Sequence, residues 1–145
     1  MIGLAAIKKD FELAKSFNPD LIIVLPHWGT QFVDEPNDNQ KFWRETFLSL
    51  GADIILGDHT HSVQPAVIET VDGRKTFTLY SPGNYANVYR AHDGDASIMA
   101  EIYIDRETKK ILGGAIIPMW TRSTLSGNYR PLPIYEILTN DNLQP

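Results

Sequence analysis

"ADIILGDHTH", residues 52–61, places an apolar run, a glycine and two of the chain's four histidines within ten positions. Ile54, Ile55 and Leu56 follow one another without polar alternation. That is the pattern of a strand covered on both faces, as in parallel sheets flanked by other layers. Gly57 ends the run, so His59 and His61 fall just past the carboxyl end of a buried strand. Open α/β sheets take their ligands at that edge.

A second run of the same kind, "LIIVLP" at residues 21–26, ends in His27. Between the two lie a polar loop, "GTQFVDEPND", and a helical pattern. Asn37 and Gln40 have the spacing of a capping box, Trp43, Phe47 and Leu50 form an apolar stripe, and Gly51 is the C-terminal stop. Strand, helix, strand in this order predicts the right-handed crossover of a parallel sheet. A first helix is expected from residue 4 to about 18, with Ile7, Phe11 and Ala14 on one face and Pro19 as its stop.

The second half changes character. "AVIETVDGRKTFTLY", residues 66–80, reads as a hairpin about Asp72-Gly73, and "ASIMAEIYID" with "KILGGAIIPM" as a second antiparallel pair around "RETKK". The tail, with Pro131, Pro133 and Pro145, is expected to wrap the domain as extended chain. The predicted fold is α/β: one domain over residues 1–145, a mixed sheet with a β-α-β unit followed by antiparallel hairpins.

The 145 residues suit one domain, and 43% hydrophobic with 21% charged residues is a globular composition. A net charge of −5 argues against nucleic-acid binding, which needs a basic face to displace counterions. An anionic substrate then requires a metal ion or local arginines, and Arg90, Arg122 and Arg130 stand in the loop-rich second half, where solvated surface charges are also common. With no cysteine there is neither a disulfide framework nor a thiolate metal site. No signal peptide or membrane-crossing run is present in these residues.

Imidazole is a good ligand for zinc, manganese or iron. Residues i and i+2 of an extended loop project toward one side, so His59 and His61 can reach one ion or two adjacent ones. A bare His-x-His pair is more often a turn or surface feature than a metal site. His27, at the equivalent edge of the neighbouring strand, tips the balance toward a shared site. His92, in "RAHDGDAS", has no such support and reads as a loop residue.

"IIVLPHWG", "LGADIILGDHTHSVQP" and "LYSPGNY" together resemble the successive motifs of the bacterial capsule-synthesis CapA family (PgsA). These are proteins of poly-γ-glutamate production similar to calcineurin-like metallophosphoesterases. The resemblance runs from about residue 8 to about residue 90. It implies that His27 and His59 share one metal ion, that His61 holds a neighbouring one, and that the pair is dinuclear manganese, iron or zinc. Asp58 fills the variable position before the histidines, as a turn residue or as a support for a ligand. Asn84 matches the asparagine of a Ser-x-Gly-Asn motif and is expected near the substrate or in a turn. Pro82 and Tyr85 replace the usual Leu and Phe. Trp28 is expected to pack beside its strand end.

The superfamily's carboxylate motifs do not occur before His27, so the chain is expected to correspond to the C-terminal half of the domain. It would carry the histidine side of a metal site without the bridging carboxylate, and no residue is assigned a catalytic role. The resemblance implies a metallophosphatase-like hydrolase acting on an anionic polymer or phosphoester, working with membrane-bound capsule machinery at the cell envelope or outside the cell. The alternative is a non-catalytic scaffold in polymer assembly or export. The 145-residue chain alone is expected to be inactive.

Overall fold

The computed structural model describes residues 3–86, 94–123 and 128–139. Helix α1 (Leu4–Ser16) leads to β1 (Ile23–Val24), helix α2 (Asp38–Leu50) and β2 (Ile54–Leu56). Then come β3 (Ala66–Val71), β4 (Arg74–Leu79), β5 (Ala96–Ile104), β6 (Ile111–Ser123), β7 (Tyr129–Pro133) and a short helix α3 (Ile134–Thr139). Strands β1, β2, β4 and β3, in that spatial order, make a mixed sheet, and β5, β6 and β7 make an antiparallel one.

The β-α-β unit is as the sequence predicts. β1 and β2 are parallel neighbours, with Ile23 opposite Ile54 and Val24 opposite Ile55. Helix α2 starts at a complete capping box. Asn37 accepts from the Gln40 backbone N–H while the Gln40 side chain accepts from that of Asn37. It stops at Gly51, whose φ of 105° a side chain would resist. Below the stop, Arg74 donates to the carbonyls of Leu48 and Ala52 and pairs with Asp53 at 2.7 Å. It thus ties the chain just past the helix end to β4 and adds a second donor to the Leu48 carbonyl, which already accepts from Gly51.

The β3–β4 hairpin turns at Asp72 and Gly73, both at positive φ, the conformation a two-residue hairpin requires. β4 also pairs with β2 in parallel, which places the hairpin inside the first sheet.

Two apolar clusters define three layers. On one face of the mixed sheet, Phe11 of α1 and Phe47 and Leu48 of α2 close over Trp28, Ile55 and Tyr80. On the other face Ile54, Phe77 and Leu79 meet Ile111 and, partly buried, Ile98, Ala100 and Ile102 of the antiparallel sheet. The order is helices, mixed sheet, antiparallel sheet.

Three expectations need correction. "LIIVLP" is not covered on both faces: β1 is the edge strand, and Ile23 and Leu25 are 54% and 74% exposed. The second sheet packs against Ile54 of β2 and Phe77 and Leu79 of β4. In the apolar stripe of α2, Phe47 is buried, Trp43 and Leu50 are only partly so, and Leu48 takes the remaining core position.

The tail does not simply wrap. Pro131 and Pro133 lie in β7, paired with Thr121 and Met119 of β6. β7 is an edge strand, where a missing N–H can face outward without breaking the ladder. Arg122 and Arg130 face each other across this β6–β7 pair. Arg90, His92 and Pro145 lie outside the described residues.

Candidate metal centre

The two histidine segments leave adjacent parallel strands at the same edge. Pairing continues past the strands: Asp58 N–H donates to the Pro26 carbonyl, and Trp28 N–H to that of Asp58, so His27 and Asp58 sit side by side. The next residue of the second segment brings the His59 ring to 4.4 Å from that of His27, centroid to centroid. His27 Nδ1 lies 2.7 Å from Asp58 Oδ1. An ionised carboxylate only accepts, so Nδ1 carries the proton and the lone pair of His27 is on Nε2. A carboxylate behind an imidazole is the usual means of orienting a metal-ligating histidine. Both side chains are largely exposed, so this hydrogen bond contributes little to stability.

His61 has other neighbours. Its ring stacks on Phe32 at 5.6 Å, and its Nδ1 lies 2.7 Å from Asn84 Oδ1. Between the histidines, Thr60 is fully buried and points inward, its hydroxyl donating to the Ser62 carbonyl. The Thr60 carbonyl accepts from the Phe32 N–H at 2.6 Å, tying the loop after β1 to the loop after β2.

A buried amide relay makes the same connection from below. Gln40 Nε2 donates to Gln64 Oε1 at 2.8 Å, and Gln64 Nε2 donates to the Val33 carbonyl. Gln40 and Gln64 are 0% and 2% exposed, so the bond between them lies in low dielectric, where losing a partner is costly.

Three of the six non-glycine residues at positive φ among the described residues gather here. Phe32, His59 and His61 have φ of 61°, 98° and 59°, and Gly29 and Gly83 beside them have 92° and 77°. A non-glycine residue held there costs about 1–3 kcal/mol, and such residues cluster where function requires a particular side-chain direction. Trp28 packs, as expected: it is buried, stacks on Phe47 and Tyr80, and donates from Nε1 to the Tyr80 carbonyl at 2.9 Å. Gly57 allows this, since a Cβ there would stand 2.2 Å from Trp28 Nε1. Burial raises the Tyr80 phenol above its ordinary value, against the pull of Arg44.

The histidine pair with its carboxylate fits the donor chemistry of one side of a divalent-metal sphere. It does not make a full sphere: among the described residues no three His, Cys, Asp or Glu side chains gather as metal ligands. Sequence reasoning singled out His27, His59 and His61 as candidates for one site, of which the structure brings His27 and His59 together and gives His61 other neighbours, and it left Asp58 and Asn84 between two roles. It missed Phe32, which stands as one aromatic in a polar loop without periodic context, and the Gln40–Gln64 relay, because glutamines give no burial signal.

A family profile described as bacterial capsule synthesis protein PGA_cap matches residues 2–89. A relative named PGA biosynthesis protein CapA, from Bacillus subtilis (strain 168), is 39% identical over 66 residues, covering 46% of this chain and 16% of the relative. A second, named capsule biosynthesis protein CapA, from Bacillus anthracis, is 35% identical over 72 residues, covering 49% of this chain and 16% of the relative. The match thus spans about one sixth of each relative's length.

Proposed function

The chain belongs to the bacterial capsule synthesis protein family PGA_cap, and on that footing we propose that it serves capsule biosynthesis, of the poly-γ-glutamate type, as the histidine side of a metal-dependent phosphoesterase-like site. The observation that carries this reading is the His27–His59 pair. Two imidazoles meet from adjacent strand ends, and one is already turned by Asp58.

His27 and His59 would hold one divalent ion (manganese, iron or zinc), with His61 directed at a neighbouring position. Such an ion would supply Lewis acidity toward a phosphoester or a related anionic group. The chain's own part is to orient the rings: Asp58 fixes His27, and the Thr60 and Gln64 anchors hold the loop that carries His59 and His61. No carboxylate among the described residues gathers with the histidines as a third ligand, so a bridging one would come from other residues or from a partner. With a net charge of −5, the bound ion would also offset repulsion of an anionic polymer. The setting we propose is the cell envelope; among the described residues no helix is long and apolar enough to cross a membrane.

In the full-length protein, His59→Ala or His61→Ala should abolish metal-dependent hydrolysis of an aryl phosphate, a loss of 100-fold or more on the order expected for a missing ligand. Circular dichroism should show the fold retained. Wild-type hydrolysis by either variant would remove the histidines from the reaction. The absence of a three-ligand cluster among the described residues favours one other reading, a non-catalytic scaffold in polymer assembly or export. That reading predicts no hydrolysis by the full-length protein with any divalent ion.

A further inference from the structure

The Asn84 side chain is 6% exposed and has two hydrogen-bond partners of opposite kind. Its Nδ2 donates to the Gly94 carbonyl at 3.0 Å. A carbonyl only accepts, so this bond settles which end of the amide faces which way. Oδ1 is therefore the atom presented to His61 Nδ1, 2.7 Å away. An amide oxygen also only accepts, so Nδ1 must carry a proton and the neutral ring has its lone pair on Nε2.

We propose that Asn84 is the positioning residue of His61, holding its imidazole as the Nδ1–H tautomer, with the ring's lone pair on Nε2. The proposal rests on the metal-site reading for its purpose, and on the Gly94–Asn84–His61 chain for its geometry.

The anchor comes from the antiparallel sheet. Thr121 of β6 donates its hydroxyl to the Tyr85 carbonyl at 2.8 Å, and its backbone N–H to the Asp95 carbonyl. Trp120 Nε1 donates to Asp95 Oδ2 at 2.8 Å. Gly83 bridges to Ser97 and Val63 to Pro82. At Gly83 a Cβ would stand 2.7 Å from the Ala96 carbonyl, so the segment lies tightly against β5. Residues 94–121, beyond the 2–89 segment that the family profile matches, thus set the direction of a ligand that lies within it. Phe32, stacked on the ring face, limits rotation about the remaining axis.

The test uses the 145-residue chain with ¹⁵N-labelled histidine, at mildly alkaline pH where imidazole is neutral. Two-bond ¹H–¹⁵N correlation reports which ring nitrogen is protonated, and His61→Gln identifies the His61 signals by their loss. The native protein should show His61 chiefly as the Nδ1–H form. Asn84→Ala should reduce that form to a minority, and Asn84→Asp, which keeps an acceptor, should restore it. His61 found as Nε2–H in the native chain would overturn the proposal, as would a tautomer unchanged in Asn84→Ala. If Asn84→Ala does not fold, the native and Asn84→Asp spectra decide. Adding Zn²⁺ tests the underlying reading separately, through the ring nitrogens of His27 and His59. Rings unmoved by Zn²⁺ with His61 as Nδ1–H would refute the metal site and support the pairing. Shifted rings with His61 as Nε2–H would do the reverse.

Discussion

Three side chains at the candidate centre, Phe32, His59 and His61, stand on backbone that non-glycine residues avoid. His59 is the furthest out, at φ 98°. Fold stability alone would favour glycine there, so His59→Gly should raise stability, by about 1 kcal/mol once glycine's extra unfolded-state entropy is set against the released strain. Chemical denaturation of the two proteins checks this, and a clear loss of stability in the variant would show that the imidazole is held for packing. The His-x-His spacing was legible in the sequence, and so was its position after a strand. The strain was not, because φ follows from how the Thr60 carbonyl and the Phe32 N–H meet across two loops. For the same reason Asp58 was left between turn and support. Its contact with His27 depends on the register between β1 and β2.

Among the elements, α2 connects sequence to site most directly. Asn37, Gln40 and Gly51 announced both of its ends, and the structure has the capping box and the left-handed stop. What the motif did not announce is the second use of Gln40, which passes a hydrogen bond to Gln64 and through it to Val33. Gln40→Ala should therefore cost more than an ordinary cap, about 2–3 kcal/mol, because it also leaves buried groups without partners. A denaturation midpoint shifted by no more than a surface substitution would contradict the relay. At the β5–β6 turn, Asp105 accepts from the Thr108 hydroxyl and N–H and from the Glu107 N–H, which hold its carboxyl below the usual range. A depressed folded-state value means that the turn is supported above the ordinary aspartate range and loses that support as pH falls through the lowered value. The Glu107 and Thr108 amide resonances should accordingly shift together, with a midpoint below that of a model aspartate. A midpoint at or above the ordinary value would show that the bonds are not made. Strand periodicity identified β5 and β6 correctly. It failed for β7, where two prolines signalled loop and edge pairing prevailed.

For the whole molecule, helices on one face of a mixed sheet and an antiparallel sheet on the other agree with the α/β class read from the order of elements. Apolar runs reveal strands; they do not reveal which strand lies at an edge. β1 was read as covered on both faces and lies at an edge, with Ile23 and Leu25 open to solvent. A groove of about 660 Å³ runs beside β1 between α1 and α2, with His27 and Trp28 among its lining. The candidate centre stands at the end of this exposed edge, with two rings gathered and no third ligand among the described residues. On the reading proposed above, the chain holds the histidine part of a metal site and no more. Calorimetric titration of the 145-residue chain with Mn²⁺, run alongside an aryl-phosphate assay, tests it most directly. Binding should be weak and at one site at most, lost in His59→Ala, with no turnover. Tight binding of two ions, or metal-dependent turnover by this chain alone, would contradict it.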